Sequence, residues 1–167
     1  AEASEVRGGD KAFGADKVTD GDIESYWCPE DATKTGTVTI TTKGPVTFDV
    51  VRLREQIRLG QRVTNFTVEA EVDGQWQTII GNGQTIGNQI MWKLEKPVTA
   101  KSVRFNITGS RACPCISEFS LLKMPKTMPR PEMRCENGKL VIEENSGYTL
   151  LYTTNGKHPS QGGKVYK

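Results

Sequence analysis

Residues 66–80 read FTVEAEVDGQWQTII, and this stretch decides the fold class. Apolar and polar residues alternate from Phe66 to Val72, so the apolar side chains fall on one face of an extended strand. The Asp73-Gly74 pair is typical of a tight hairpin turn, and residues 76–80 form the returning strand. The stretch therefore predicts a β-hairpin with one buried face.

Strand signals of the same kind recur on both sides of this hairpin. They are short, rich in β-branched and aromatic residues, and separated by residues that favour turns. The further predicted strands are Thr37–Thr41, Thr47–Arg54, Gln89–Leu94, Ser102–Ile107 and Ile116–Lys123. About seven or eight short strands at this spacing, without a sustained helical period, predict an all-β fold that is a β-sandwich or a jelly roll.

The composition agrees with this fold class and limits the function. The 167 residues include 18 Thr, 13 Val and 10 Ile, against 8 Leu and 8 Ala. β-Branched side chains favour strands, whereas Leu and Ala favour helices. A net charge of +2 gives no electrostatic reason to expect nucleic acid as a partner. No apolar run approaches the roughly 20 residues of a membrane helix, so we expect no membrane insertion.

A proline-rich segment divides the chain into two parts of unequal size. Residues 125–131 contain three prolines and no strand pattern, which predicts a semi-rigid linker. Residues 132–167 carry two strand signals, Lys139–Glu143 and Tyr148–Thr153, but are too few for a core of their own. We interpret them as a short partial second β-module that is cut off. The alternative is a C-terminal hairpin packed on the first domain.

The most informative polar loop lies in residues 17–27, KVTDGDIESYW. Its Asp20-Gly21-Asp22 turn brings two carboxylates together, and the hydroxyl group of Ser25 follows three residues later. Hard cations such as Ca²⁺ take about six to eight oxygen ligands, which a tight acidic loop can supply. The loop is not an EF-hand, because Ser25 stands where that loop requires Gly. On spacing alone, an ordinary Asp-Gly turn is the favoured interpretation.

Three stretches resemble the discoidin family, also called coagulation factor 5/8 type C domains: KVTDGDIESYW, DGQWQTI and SVRFNITGSRACPCISEFSLL. The resemblance covers about residues 1–124 and implies a galactose-binding-domain-like β-sandwich jelly roll. It also implies a structural Ca²⁺ that joins the first loop to the last strand. The implied ligands are the carbonyl groups of Lys17 and Ser117, the carboxylates of Asp20, Asp22 and Glu118, and the hydroxyl and carbonyl groups of Ser25.

A closer resemblance is to the domain behind the catalytic barrel of family 29 α-L-fucosidases. It rests on residues 55–62, EQIRLGQR, and on the turn at Thr85-Ile86-Gly87. The tail LLYTTNGKHPSQGGKVY resembles the chitobiase/β-hexosaminidase C-terminal module, which implies that residues 132–167 are a truncated copy of it. Together these resemblances imply an accessory, carbohydrate-binding domain of a secreted or periplasmic glycoside hydrolase, an α-L-fucosidase.

We expect no catalytic residue in this chain. A (β/α)₈ barrel needs about 250 residues, and the chain shows no barrel pattern. His158 is the single histidine, and we expect it in an exposed turn rather than in a catalytic triad or a His-rich zinc site. The adjacent pairs Glu30-Asp31 and Glu143-Glu144 suit a solvated surface better than the two opposed carboxylates of a glycosidase.

Sugar recognition needs planar hydrogen-bonding groups and an aromatic face, which sandwich modules carry on the loops at one end. The candidate loops are residues 26–35, 54–62 and 109–115. The candidate residues, which face either a glycan or the catalytic barrel, are Tyr26, Arg54, Glu55, Gln56, Arg58 and Arg111. The alternative is that these groups fold inward and the loop is scaffolding. We expect all three tryptophans, Trp27, Trp76 and Trp92, in the core.

The discoidin resemblance bears on three of the four cysteines. Its cation would bring Cys28 close to Cys113 and Cys115, so a disulfide from Cys28 to either of these is plausible. A bond between Cys113 and Cys115 would close a small strained ring, and Cys135 lies across the linker. Zinc is disfavoured because the sequence has no second CxxC pair.

Two other functions remain open from the sequence. A stand-alone glycan-binding lectin module would share the fold and the candidate loops. An adhesion domain would bind protein or phospholipid instead. Membrane-binding discoidin domains present apolar residues on long loop tips, and the corresponding loops here are mostly polar, which counts against phospholipid.

Overall fold

The computed structural model describes residues 1–125, 130–143 and 147–166. The chain divides into two compact units, Ala1–Met124 and Pro125–Lys167. The predicted linker at residues 125–131 falls partly on residues 126–129, and the predicted second module includes residues 144–146 and 167; these lie outside the described residues. Within the described ranges, no helix has the length and apolarity that crossing a membrane requires.

Antiparallel strands build the first unit. Among its described residues the strands are β1 (Glu2–Ala3), β2 (Gly36–Glu55), β3 (Val63–Val72), β4 (Gln75–Gly83), β5 (Ile90–Ser110) and β6 (Ile116–Leu122). They pair in the order β1-β2-β5-β3-β4, and β6 also pairs with β2. Short 3₁₀ helices lie in the connections, at Arg7–Gly9, Lys11–Phe13, Ala15–Val18 and Ile57–Leu59. The all-β sandwich prediction is confirmed.

The two longest strands, β2 and β5, pair with each other in three successive stretches. Residues 36–41 of β2 pair with 102–107 of β5, residues 46–48 pair with 98–100, and residues 50–53 pair with 90–93. Register shifts between these stretches mark bulges, which bend a strand and let it pass from one layer of a sandwich to the other. The sequence predicted two short strands in place of each long one. Backbone pairing continues through the bulges, which an apolar–polar pattern does not reveal.

The hairpin predicted from residues 66–80 forms between β3 and β4. Asp73 and Gly74 adopt φ angles of 52° and 75°, as a primed hairpin turn requires. The apolar face of β3 points into the core, where Phe66, Val68 and Ala70 are buried. This hairpin supplies one wall of the sandwich interior.

Aromatic side chains occupy the centre of the core. The Phe105 ring lies between those of Phe66 and Phe119, with centroids 5.4 and 5.8 Å away. Trp92 meets Phe66 edge to face at 6.4 Å, and Trp27 is fully buried. Offset and edge-to-face contacts of this kind stabilise a core beyond the area they bury.

Trp76 corrects one expectation about the core. It is 37% exposed, and the guanidinium of Arg104 lies 4.2 Å from its ring centroid. Arg104 also donates from Nε to Glu69 at 2.6 Å, and this hydrogen bond lowers the pKa of Glu69. The prediction that Trp76 is a core residue is therefore wrong. A cation–π contact with Arg104 covers part of its ring on the outer face of the sheet.

The second unit consists of two small antiparallel pairs. Strands β7 (Met133–Glu136) and β8 (Lys139–Ile142) form one hairpin, and β9 (Leu151–Tyr152) pairs with β10 (Lys164–Val165). Tyr166 joins them, because its hydroxyl group accepts a hydrogen bond from the backbone N–H of Ile142 at 3.1 Å. The likeness of this unit to a chitobiase C-terminal module stays a prediction.

The close packing of β4 on β3 predicts that replacing two glycines of β4 by alanine has very different effects on stability. A Cβ at Gly83 would lie 2.3 Å from the Phe66 ring, whereas a Cβ at Gly81 meets nothing closer than Thr78, at 3.6 Å. Gly83→Ala should therefore lower the free energy of unfolding by about 1–3 kcal/mol. Gly81→Ala should change it by no more than about 0.5 kcal/mol. Equal unfolding midpoints in urea for the two variants would contradict the described packing.

Candidate functional site

Four connecting segments meet at one end of the first unit, and we call this surface the loop end. It comprises residues 19–31, 55–62, 84–89 and 109–115. Gln56 ties the second segment to the first, because its side-chain amide donates to the carbonyl groups of Ile23 and Glu24 at 3.0 and 2.9 Å. Arg62 ties it to the fourth, donating from Nη1 to the carbonyl of Cys113 at 2.8 Å.

Glu55 connects the second and third segments from the inside. Its side chain is only 2% exposed. One carboxylate oxygen accepts the backbone N–H groups of Arg62 and Val63 at 2.7 and 2.8 Å, and the other accepts that of Gly87 at 2.9 Å. Three backbone donors from two loops thus end on one buried carboxylate. Such charge-assisted hydrogen bonds are among the stronger polar interactions in proteins.

This geometry corrects the expectation for two of the six recognition residues. Glu55 and Gln56 are 2% and 6% exposed, and their polar atoms bond to the protein backbone. A glycan or a partner surface cannot reach side chains that are buried and already bonded. We therefore assign Glu55 and Gln56 to the scaffold of the loop end.

The other four candidates are more accessible but do not form one cluster. Arg58 is exposed and pairs with Glu24, with 2.8 Å between Nη1 and the carboxylate. Arg111 is exposed beside Arg62, whose carbonyl accepts its backbone N–H at 2.8 Å. Arg54 donates from Nε to the carbonyl of Asn88 at 3.2 Å. The half-buried Tyr26 packs its ring against Phe13, with centroids 5.5 Å apart, so it is not an open aromatic platform.

Exposed apolar side chains form the tip of the loop end. Ile57 and Leu59 are 43% and 42% exposed on the 3₁₀ helix Ile57–Leu59, and Ile23 is 50% exposed on the segment that Gln56 binds. Gln56 accepts the N–H of Arg58 at the start of that helix, and Gly60, with φ of 92°, ends it. Sequence reasoning missed these residues. The signal was present, because isoleucine and leucine flank Arg58 in a segment between two strands.

Most of the predicted calcium ligands do lie in one loop. The Ser25 hydroxyl donates to Asp20 at 2.7 Å, and Asp20 also accepts the backbone N–H of Asp22 at 2.9 Å. The Lys17 ammonium lies 3.8 Å from the same carboxylate. Although partial burial of Asp20 acts in the opposite direction, the hydrogen bonds from Ser25 and Asp22 and the charge of Lys17 lower its pKa. Asp20 therefore stays ionised at neutral pH.

Glu118, the predicted ligand from the last strand, has other partners. Its carboxylate forms an ion pair with Arg52, lies 3.9 Å from Nη1 of Arg54, and accepts the Ser120 hydroxyl at 2.7 Å. Ser117 is buried next to it. The last strand is nevertheless close to the first loop, because β6 packs against the 3₁₀ helix Ala15–Val18 and Trp27 pairs with Ile116.

The loop therefore fits a hard cation only in part. Asp20, Asp22 and Ser25 offer oxygen donors of the kind that Ca²⁺ prefers. Among the residues that the structure describes, however, no three His, Cys, Asp or Glu side chains are grouped to hold a metal. Two arginines, Arg52 and Arg54, lie beside the carboxylate of Glu118, and its role as a ligand stays a prediction.

A comparison with protein families identifies the fold that carries this loop end. The model of the F5/8 type C domain matches residues 1–119. The chain belongs to the F5/8 type C domain family. The discoidin resemblance read from the sequence is confirmed, and this F5/8 type C domain accounts for the whole of the first unit up to β6.

Known relatives of this F5/8 type C domain include α-L-fucosidases. A rice protein (Oryza sativa subsp. japonica) described as an α-L-fucosidase is 37% identical over 121 residues, which are 71% of this chain and 23% of that protein. A family 29 fucosidase of Ruminococcus gnavus, solved with fucose, is 32% identical with a TM-score of 0.68, over 74% of this chain and 25% of the enzyme. The chain thus spans about a quarter of the length of these relatives.

One solved structure of similar size shares the fold. A chitosan-binding module from a Paenibacillus chitosanase/glucanase matches 70% of this chain and 88% of its own length, with a TM-score of 0.61 and 19% identity. At this identity the likeness concerns the fold alone. The sandwich therefore occurs in fucosidases and also in a chitosan-binding module derived from a different enzyme.

The buried position of Glu55 predicts that it stabilises the loop end. Glu55→Ala leaves three backbone N–H groups without their acceptor, so the free energy of unfolding should fall by about 2–5 kcal/mol. Glu24→Ala is the matched control, because this carboxylate is half exposed and pairs with Arg58 at the surface. The control should change stability by no more than about 0.5 kcal/mol in urea denaturation. Equal losses in both variants would show that Glu55 has no special structural role.

Proposed function

We propose that this F5/8 type C domain is a non-catalytic accessory domain of an α-L-fucosidase, secreted or periplasmic. The observation that carries the proposal is the extent of the match. The similarity to fucosidases covers most of this chain but only about a quarter of each enzyme, and it coincides with the F5/8 type C domain. Two carboxylates near the loop end are already engaged in structural contacts: Glu55 is buried and bonded to backbone, and Glu118 is paired with Arg52.

The tip of the loop end supports docking to the catalytic barrel. Ile23, Ile57 and Leu59 are exposed apolar residues on adjoining segments, and Arg58 lies between two of them. Apolar residues beside an arginine are typical of the buried centre of a protein–protein interface. A sugar pocket would instead need an open aromatic face, which the packing of Tyr26 on Phe13 does not provide.

Glycan binding is the second candidate, favoured by two exposed arginines. Arg58 and Arg111 are accessible on the loop end, and their guanidinium groups can donate to pairs of sugar hydroxyl groups. The fold neighbour that binds chitosan shows that a sandwich of this kind can serve as a binding module.

Phospholipid binding is a further alternative. The tip of the loop end exposes more apolar side-chain surface than we expected from the sequence.

Docking can be tested with the chain and a separately produced catalytic barrel of its parent enzyme. We expect measurable binding, weakened at least about tenfold by the double change Ile57→Ser and Leu59→Ser, since buried apolar contacts of this size contribute more than 1 kcal/mol each. Val46→Ser is the control, because Val46 is 36% exposed on β2 outside the loop end. Absence of binding by the unaltered chain would overturn docking. A hit on a glycan array, or on phosphatidylserine vesicles, would then support the corresponding alternative.

We also propose that the loop at residues 17–25 binds Ca²⁺ with a structural role. The donors would be Asp20, Asp22, Ser25 and the carbonyl groups of Lys17 and Ser117. Support comes from the convergence of Ser25 and Asp22 on Asp20 and from the contact between β6 and the helix Ala15–Val18. A cation there would stabilise the connection between the first loop and the last strand.

Calcium should therefore raise the stability of the chain. At about 100 times its dissociation constant, Ca²⁺ should add about 2.7 kcal/mol to the free energy of unfolding relative to EDTA. Asp20→Asn should abolish this increment, whereas Asp73→Asn, the same change in the β3–β4 turn, should preserve it. Glu118→Gln tests whether Glu118 is also a ligand. If calcium still raises the free energy of unfolding of this variant, Glu118 is only the partner of Arg52. Identical melting curves in calcium and EDTA would refute the site.

A further inference from the structure

Three of the four cysteines form a buried cluster in the first unit. Cys28, Cys113 and Cys115 are each at most 2% exposed and pack together with Phe13 and Tyr26. All three are free thiols in the structure, and Cys135 of the second unit is exposed. Neither the docking surface nor the calcium loop uses this cluster. The sequence left open whether Cys28 pairs with Cys113 or with Cys115, and the geometry of the cluster distinguishes the two.

The decisive observation is the register between two extended segments. Trp27 and Ile116 are directly opposite each other in an antiparallel bridge. They exchange both backbone hydrogen bonds, at 2.8 and 2.9 Å, which makes them a hydrogen-bonded pair. One step further along each segment, Cys28 is therefore opposite Cys115, in a non-hydrogen-bonded pair. Cα atoms of such pairs are about 4.5 Å apart, within the range of about 4.4–6.8 Å that disulfides span.

Backbone hydrogen bonds hold both members of this pair in place. The carbonyl of Cys28 accepts the N–H of Arg7 at 3.1 Å, and the carbonyl of Cys115 accepts the N–H of Gln56 at 2.9 Å. Residues opposite each other in an antiparallel pair project their side chains to the same face. The two thiols therefore point into the same cluster without any shift of the backbone.

Cys113 has a different environment. It precedes Cys115 by two residues, so in the register set by Trp27 and Ile116 it is not the residue opposite Cys28. Its sulfur accepts a hydrogen bond from Arg7 at 3.1 Å, and its carbonyl accepts one from Arg62 at 2.8 Å. Nη1 of Arg62 also lies near both sulfurs, 3.5 Å from Cys113 and 3.3 Å from Cys115, so only the contact with Arg7 is particular to Cys113. The Arg7 guanidinium thus holds the Cys113 sulfur, whereas among the described residues none opposite Cys113 supplies a second cysteine.

We propose that Cys28 and Cys115 form a cross-strand disulfide when the chain folds in the presence of a disulfide oxidant, and that Cys113 remains a free thiol. With oxidised glutathione, one cysteine thiolate attacks a glutathione sulfur and releases one reduced glutathione. The thiolate of the second cysteine then displaces the other glutathione from the mixed disulfide. The two protein thiols lose two electrons and two protons, which end on two molecules of reduced glutathione.

The timing of this reaction follows from the burial of the cluster. Burial raises the pKa of Cys28 to about 11. Because only thiolates exchange, the folded, reduced chain should oxidise slowly at neutral pH. The bond should form during folding, before the thiols are buried, and once formed it should resist reductants unless the chain unfolds.

Peptide mapping of the full chain tests the pairing directly. The chain carrying Cys135→Ala is refolded in a glutathione redox buffer, alkylated and digested with trypsin. Cys28 lies in the peptide of residues 18–34, whereas Cys113 and Cys115 share the peptide of residues 112–123. We expect these two peptides to be joined and one thiol to be alkylated. Fragmentation at the Cys113–Pro114 bond then shows which cysteine carries the alkyl group.

Two variants and a melting experiment supply the controls. Cys113→Ala should keep the joined peptides, and Cys115→Ala should lose them. The oxidised chain should melt on the order of 10 °C above the reduced chain, because the bond constrains a long loop of the unfolded state. Cys113→Ala should retain this difference. Two outcomes would overturn the proposal: joined peptides in which Cys115 is alkylated, or three alkylated thiols after folding in the redox buffer. Both are measured on the chain that retains all three clustered cysteines.

Discussion

The loop end of this F5/8 type C domain depends on the carboxylate of Glu55. It stands at the end of β2, is almost fully buried, and accepts backbone N–H groups from Arg62, Val63 and Gly87. A buried charge is costly unless hydrogen bonds replace its hydration, and here three donors do so. The interaction fixes where two connecting segments leave the sandwich. The direction in which the 3₁₀ helix at Ile57–Leu59 presents its side chains follows from it.

A second constraint holds the N-terminal segment to the last strand. The Trp27–Ile116 pair, the contact of β6 with the helix Ala15–Val18 and the buried cysteine cluster all join chain regions far apart in sequence. A cation in the Asp20 loop and a bond between Cys28 and Cys115 would act on this same junction. Both proposals concern the closure of the domain, whereas the docking proposal concerns its exposed tip.

Charge density in the segment from Arg54 to Arg62 proved a poor guide to exposure. The sequence suggested a single recognition surface there, but the structure divides its residues by direction. Glu55 and Gln56 turn inward and bond to backbone, while Arg58 points outward between Ile57 and Leu59. Alternation along a strand predicts which face a side chain takes, but a tight turn obeys no such period. The direction of each loop side chain is decided by the partner it finds.

The sequence by itself determined the all-β class and the hairpin at residues 66–80, because strand periodicity and turn chemistry are local properties. The sequence also indicated the F5/8 type C family, through the resemblance of three motifs to that family. It did not determine that β2 and β5 run through bulges as single strands, that Trp76 lies under Arg104 outside the core, or that Glu118 pairs with Arg52. It also left open which cysteine faces Cys28. Only the tertiary structure decided these points, because each depends on the register between segments that are distant in the chain, and register is set by packing and pairing across the whole sandwich.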